Sequence, residues 1–258
     1  MCELGGQARL KALLGSPGPP AATVSVDFET AREDWLRREL RSGMVAAALG
    51  RTRAFQLLTA AAPGLAELLT IGKVWDLVDG GSPESAAYEL AIVDGPSTGQ
   101  ALAMLTASHT YAEVARAGPV HRQSLRIDAF LKDPARTAVL GVALPEEMPV
   151  NETLELETRL GAAGLLLERV VVNALTPERY DSDELGRLKA AVNDVSPAGR
   201  SAIAVALAGD ERARDQRCET ERLRAGLGAP VALLPFVFRP ELGRAELERL
   251  SSELERAL

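Results

Sequence analysis

Asp94 is the residue best placed to do chemistry. It closes a short apolar run, Leu90 to Val93, and is followed by Gly95-Pro96-Ser97-Thr98-Gly99-Gln100. Ala101, Leu102, Met104 and Leu105 then begin a helical spacing. A carboxylate at the C-terminal tip of a buried strand, with a glycine-containing turn into a helix, is how open α/β sheets build ligand sites. The amides of such a turn favour phosphate or other anions. The same residues also fit an ordinary strand–loop–helix in which Asp94 is a solvated turn residue. Other reactive side chains are scattered. His109 and His121 have no metal-ligand spacing, no Ser-His-Asp or Cys-His set emerges, and Cys2 and Cys218 share no CxxC pattern.

The elements that must position Asp94 alternate between short apolar strands and helices. Met1 to Leu4 reads as the end of a strand and Thr23 to Val26 as a second, with Asp27 as the N-cap of a helix behind it. Ser16-Pro17-Gly18-Pro19-Pro20 is a loop, because its prolines cannot sustain a helix or a ladder. Residues 28–61 read as helix with a break at Gly43, and Pro63-Gly64 precedes renewed helical spacing from Leu65 to Val78. Gly80-Gly81-Ser82-Pro83 turns into the Asp94 strand. Residues 107–132 read as two short helices divided at Gly118-Pro119. Thr137 to Leu144 and Glu168 to Val172 are further strands, the second ending in Asn173, with a helix over 151–163 capped by Asn151 between them. Helices come next over 183–195 and 197–225, then a strand from Val231 to Leu234, a loop from Pro235 to Leu242, and a closing helix from Arg244. The charged run after Asp210 in the long helix reads as a solvated face. This alternation predicts an α/β fold with a doubly wound, mostly parallel sheet flanked by helices.

Composition bounds the answer. A chain of 258 residues is long enough for a single large α/β domain with a full core. Its 47% hydrophobic and 25% charged residues are those of a globular protein, and 4% aromatics with abundant Ala and Leu favour helices. The formal net charge of −7 argues against nucleic acid and anionic membranes as partners. No run supplies the ~18–20 apolar residues of a membrane span, so no integral membrane segment is expected. Two lone cysteines and no basic, then apolar, leader suggest a cytoplasmic protein.

Asp94-Gly95-Pro96-Ser97-Thr98-Gly99-Gln100 resembles the D-T-A-P-T-G-H switch segment of the ArsA family, the arsenite-pump and tail-anchored-protein-targeting ATPases. The resemblance covers nearly the whole chain, most strongly 62–78, 88–105, 133–173 and 230–243. Thr98-Gly99 match the family pattern, while Gln100 stands where it has His. Asp133-Pro134, then Pro145-Glu146 and Glu152-Thr153, are similar to its D-P-x-x-T, P-E and E-T segments. The implied fold is that of a P-loop NTPase, as one domain over 1–258 with a short helical insertion around 107–132. The implied activity is ATP hydrolysis coupled to conformational change in a dimer, with ATP and Mg²⁺ as cofactors.

Each functional role comes from this resemblance. Asp94 would hold Mg²⁺ indirectly, through a coordinated water, or hold the switch loop, with Thr98 and Gly99 part of that loop. Asn173, in Val170-Val171-Val172-Asn173, matches the V-V-N whose amide reads the purine edge; on its own chemistry it equally fits an Asn that bonds its own turn. Pro235, Phe236 and the residues to Gly243 resemble the loop that packs on adenine, where Arg239 could stack on the base or face solvent.

Two departures weigh against hydrolysis by this chain alone. Gly72-Lys73 is the only Gly-Lys pair, but Glu67 and Val74 stand where a Walker loop needs Gly and Ser or Thr. In the alignment of Cys2-Glu3-Leu4-Gly5-Gly6-Gln7 on C-E-V-D-G-Q, Gly5 occupies the place of the switch Asp. The family's strand, phosphate loop and first helix would lie upstream of Met1, and a miscalled start, a shortened chain or a genuine loss would each account for that. The expected partner is therefore a second copy or a P-loop-bearing paralogue. A non-catalytic partner or scaffold that keeps the ATPase fold is the alternative. With no Met between Leu105 and Leu131, an apolar client groove is not expected, and no cysteine cluster points to arsenite.

Overall fold

The computed structural model describes residues 1–4, 10, 22–40, 52, 62–79 and 88–257. Gly5, the Ser16–Pro20 loop, the helix expected beyond residue 40 with its Gly43 break, and the Gly80–Pro83 turn lie outside these residues. The chain divides into two compact units, Met1–Thr137 with Ala163–Leu165, and Ala138–Ala162 with Leu166–Leu258. The α/β expectation holds in both, and every described strand pairs in parallel.

The first unit is built on strands β1 (Cys2–Leu4), β2 (Val24–Val26) and β3 (Val93–Asp94), in the order β2-β1-β3. Four helices accompany them: α1 (Phe28–Leu40), α2 (Leu65–Asp79), α3 (Thr98–Val114) and α4 (Gly118–Lys132). Asp27 caps α1, accepting from the Thr30 amide at 2.9 Å and the Thr30 hydroxyl at 2.7 Å. Gly64, at φ +75°, makes the turn that starts α2, with Tyr111 packed beside it and donating to Pro63 O at 2.9 Å. Helix α2 is buried on several sides, through Leu68, Leu69, Ile71, Val74, Trp75 and Leu77, because it packs against α1, α3 and α4. The break between α3 and α4 spans Ala115–Ala117, just before Gly118 at φ +94°, close to the Gly118-Pro119 division expected from the sequence.

The second unit is built on β4 (Val139–Ala143), β5 (Leu167–Leu175) and β6 (Val231–Pro235), in that order. Its helices are α5 (Glu147–Ala162), α6 (Ser182–Ala191), α7 (Pro197–Gly226) and α8 (Arg244–Ala257). Central β5 buries Val170, Val171 and Val172 in succession, the pattern of a strand covered on both faces. β4 has β5 as its only described neighbour and alternates: Gly141 and Ala143 are buried, while Leu140 and Val142 are 61% and 71% exposed.

Several expectations shift in detail. The Asp94 strand pairs over only Val93–Asp94, and Leu90 and Ile92 are exposed, because β3 has a described partner on one side alone, β1. Helix α5 starts at Glu147 rather than after Asn151; Pro149 falls in its first turn, where a missing amide hydrogen costs nothing. The charged part of α7 is not solvated all round. Asp210, Ala213, Gln216, Thr220 and Leu223 form a buried stripe, and Gln216 Oε1 accepts from the Thr176 amide at 2.8 Å. Among the described residues, no helix is long and apolar enough to cross a membrane.

Candidate functional site

Asp94 ends β3 and is exposed rather than buried among core side chains. Its register partner on β1 is Glu3, which is buried and engaged with a partner of its own. Two carboxylic residues thus sit side by side at neighbouring strand tips, about 4.8 Å apart along the ladder direction. After Asp94 the chain turns through Gly95 and Pro96 into α3. Ser97 is the N-cap, and its side chain makes no capping hydrogen bond. Ser97 O accepts from the Gln100 and Ala101 amides at 3.0 and 2.8 Å, which closes the first turn.

The turn is open. Among the described residues, a Cβ built on Gly95 or Gly99 would meet nothing within 4 Å, and the first turn of α3 carries no acidic residue to oppose an anion. A helix N-terminus has a partial positive charge from its aligned peptides, and this one faces an uncrowded approach. Asp94, Thr98 and Gly99 are therefore brought together as one exposed strand tip and helix start. The contribution of Glu3 follows only from the β1–β3 register, which no spacing in the sequence fixes.

The other expected residues gather within the second unit. Leu175 and Pro235 are register partners on β5 and β6, and the Phe236 amide donates to Leu175 O at 2.9 Å. Asn173 lies two residues before Leu175, so it shares the C-terminal edge of this sheet with Pro235 and Phe236. Its Oδ1 accepts from the Ala174 amide at 2.9 Å, where Ala174 holds the left-handed φ of +62°. That bond occupies one lone-pair direction of the amide oxygen and leaves the amide NH₂ outside it. Phe236 is 45% exposed and packs edge-on against Phe238, ring centroids 4.7 Å apart. The guanidinium of Arg179 lies over Phe238, 4.3 Å from its centroid. Sequence reasoning does not find Arg179; it stands beyond β5 and meets Phe238 only because β5 and β6 are adjacent. Arg239 instead pairs with Glu246 at 4.0 Å.

The residues fit part of a magnesium nucleotide. Mg²⁺ is held through one or two carboxylates, with phosphates and waters completing six positions. The exposed Asp94 carboxylate beside free turn space suits that pattern. Among the described residues, no group of three or more His, Cys, Asp and Glu could hold a metal ion unaided. The lysine of a phosphate cradle is not found in Gly72-Lys73, because that pair lies inside α2 and the Lys73 ammonium pairs with Asp34 on α1.

Residues 120–194 match the family described as anion-transporting ATPase. ATPase BagA of Mycobacterium tuberculosis is 30% identical over 179 residues, which cover 69% of this chain and 52% of the relative. Putative ATPase Mb3704 of Mycobacterium bovis and Putative ATPase MT3781 of a second M. tuberculosis strain match at the same identity and coverage. The chain spans about half the length of the curated relatives it matches.

Proposed function

From the premise that this chain belongs to the ArsA-like anion-transporting ATPase family, we propose that it is a subunit that binds Mg-ATP and couples the nucleotide to dimer rearrangement. The observation that carries the reading is the exposed Asp94 at the tip of β3, leading through an open turn to the N-terminus of α3. In this reading Asp94 holds a magnesium-bound water, and the Thr98–Gly99 turn follows the state of the phosphates. Within the second unit, taken by itself, Asn173 offers an amide and Pro235 with Phe236 an apolar wall of the kind a purine edge would use. Bound ATP supplies the phosphoryl group and its charge.

The lysine-bearing phosphate loop is contributed from outside these 258 residues. The partner is a second subunit of the same fold, either another copy or a P-loop-bearing paralogue. By itself the chain hydrolyses ATP weakly.

The test is nucleotide-dependent stability. Ligand binding to the folded state raises the melting temperature in proportion to the logarithm of free ligand over Kd. The chain mixed with a P-loop-bearing relative should show a magnesium-dependent rise with ATP, lost in Asp94→Asn, together with a larger species by light scattering. No shift at millimolar Mg-ATP, with or without the relative, would remove the nucleotide-binding reading.

A further inference from the structure

The C-terminal edge of the second unit's sheet, which carries Asn173, Pro235 and Phe236, is built with strain. Ala174 takes a left-handed φ of +62°, and the β5–β6 pairing shifts register between Val172 and Leu175. That conformation is disfavoured for a residue with a side chain, and such irregularities re-aim the residues beside them. The residue re-aimed here is Asn173, which is half-buried and whose Oδ1 accepts from the Ala174 amide at 2.9 Å. The carboxamide is thereby pinned through its oxygen, with its NH₂ left to donate elsewhere.

Arg179 brings further donors to the same edge. It is exposed, lies over Phe238, and forms no ion pair among the described residues. Its neighbours differ: Arg217 pairs with Glu178, and Arg239 with Glu246. Phe238 stands edge-on to Phe236, and both rings are about half exposed. The edge therefore combines an open aromatic surface with side chains that offer N–H groups, since a guanidinium donates and never accepts.

Donors select for acceptors. The edge of adenine shows a 6-amino donor beside a ring-nitrogen acceptor, and an Asn matches it by using its oxygen and its NH₂ together. The Asn173 oxygen is already committed to the Ala174 amide, which impairs that two-point match. Guanine and hypoxanthine carry a 6-oxo group beside the same ring nitrogen, so both positions accept. The Asn173 NH₂ and the Arg179 guanidinium are the groups that suit such an edge.

We propose that this edge prefers a 6-oxopurine nucleotide, with Asn173 and Arg179 as its specificity-determining residues and ATP as the weaker ligand. The inference rests on the nucleotide reading of this edge given above and sets which base it takes.

The experiment titrates the ¹⁵N-labelled full chain, mixed with an unlabelled P-loop-bearing relative, with the magnesium salts of inosine triphosphate and ATP. These nucleotides differ in the 6-substituent of the purine. The backbone amides of Ala174 and Phe236 report occupancy by nuclear magnetic resonance. Inosine triphosphate should bind at least about fivefold more tightly than ATP. Asn173→Asp keeps an oxygen for the Ala174 amide but replaces the NH₂ by an acceptor, so it should reverse the preference. Arg179→Ala, an exposed change, should weaken inosine triphosphate about tenfold and ATP less than about twofold. An ATP preference in the parent chain, a preference unmoved by Asn173→Asp, or an inosine triphosphate affinity unmoved by Arg179→Ala would each overturn the proposal while leaving nucleotide binding intact. Shifts with neither nucleotide would remove the proposal and the nucleotide reading together.

Discussion

Glu3 and Asp94 are register partners on adjacent parallel strands, the first buried and engaged, the second exposed at the strand tip. Neighbouring acids of the same kind therefore have different work. Glu3→Ala should cost about 1–3 kcal/mol of stability, because it removes the interaction of a buried side chain. Asp94→Asn should change apo stability by less than ~0.5 kcal/mol, as exposed substitutions do. Urea unfolding of the two variants checks the contrast; equal losses would show that Asp94 is structural and not available to a ligand.

Helix α1 depends on its cap, and the cap titrates. The Thr30 amide and hydroxyl hold the Asp27 carboxyl below the usual carboxylate range. Its stabilisation is thus present at pH values above the unfolded carboxylate pKa, and is lost as pH falls through the lower folded value. Asp27→Ala should cost about 1 kcal/mol at neutral pH. The difference from the parent should shrink below about pH 4, measured by urea midpoints across pH.

The two thiols should separate cleanly. Cys2 is buried in β1 and burial raises its pKa, whereas Cys218 is exposed on α7. Because the folded pKa is raised, the Cys2 contribution to stability is present below the unfolded thiol pKa and is lost as pH rises through the folded value. Iodoacetamide at about pH 8, near the ordinary thiol pKa, should modify Cys218 promptly and Cys2 only on unfolding, read by peptide mass spectrometry. Fast labelling of Cys2 in the folded protein would contradict the packing of β1.

Gln216 anchors a loop to the long helix. Its Oε1 accepts from the Thr176 amide, just past the end of β5. Gln216→Leu should lower stability by about 1–3 kcal/mol, since a half-buried amide loses its acceptor. Hydrogen exchange at Thr176 should accelerate in that variant, while exchange in α4 stays as it was.

Legibility follows burial and local chemistry. β5 is legible from three successive valines, because a strand covered on both faces needs no alternation. The start of α7 is announced by Ser196 and Pro197, and Ser196 Oγ accepts from Gly199 N at 3.2 Å. β3 reads as longer than it is, since Leu90 and Ile92 have the composition of a core strand but no second described neighbour to cover them. The buried stripe of α7 is hidden by its charges, because Asp210 and Gln216 are buried through partners rather than through apolarity. At the site, Asp94 and its turn are visible as a local pattern. Glu3 and Arg179 are not, because register and strand adjacency put them there and neither leaves a periodic trace.

The uncovered side of β4 governs how the protein can be handled. Leu140, Val142 and Leu144 stand exposed on or beside a strand whose described pairing is on one side only. A strand of that kind invites further strands to add, with no proline or lysine within it to discourage them. Concentrated preparations should therefore turn cloudy on standing, and a single lysine at Val142 should keep them clear.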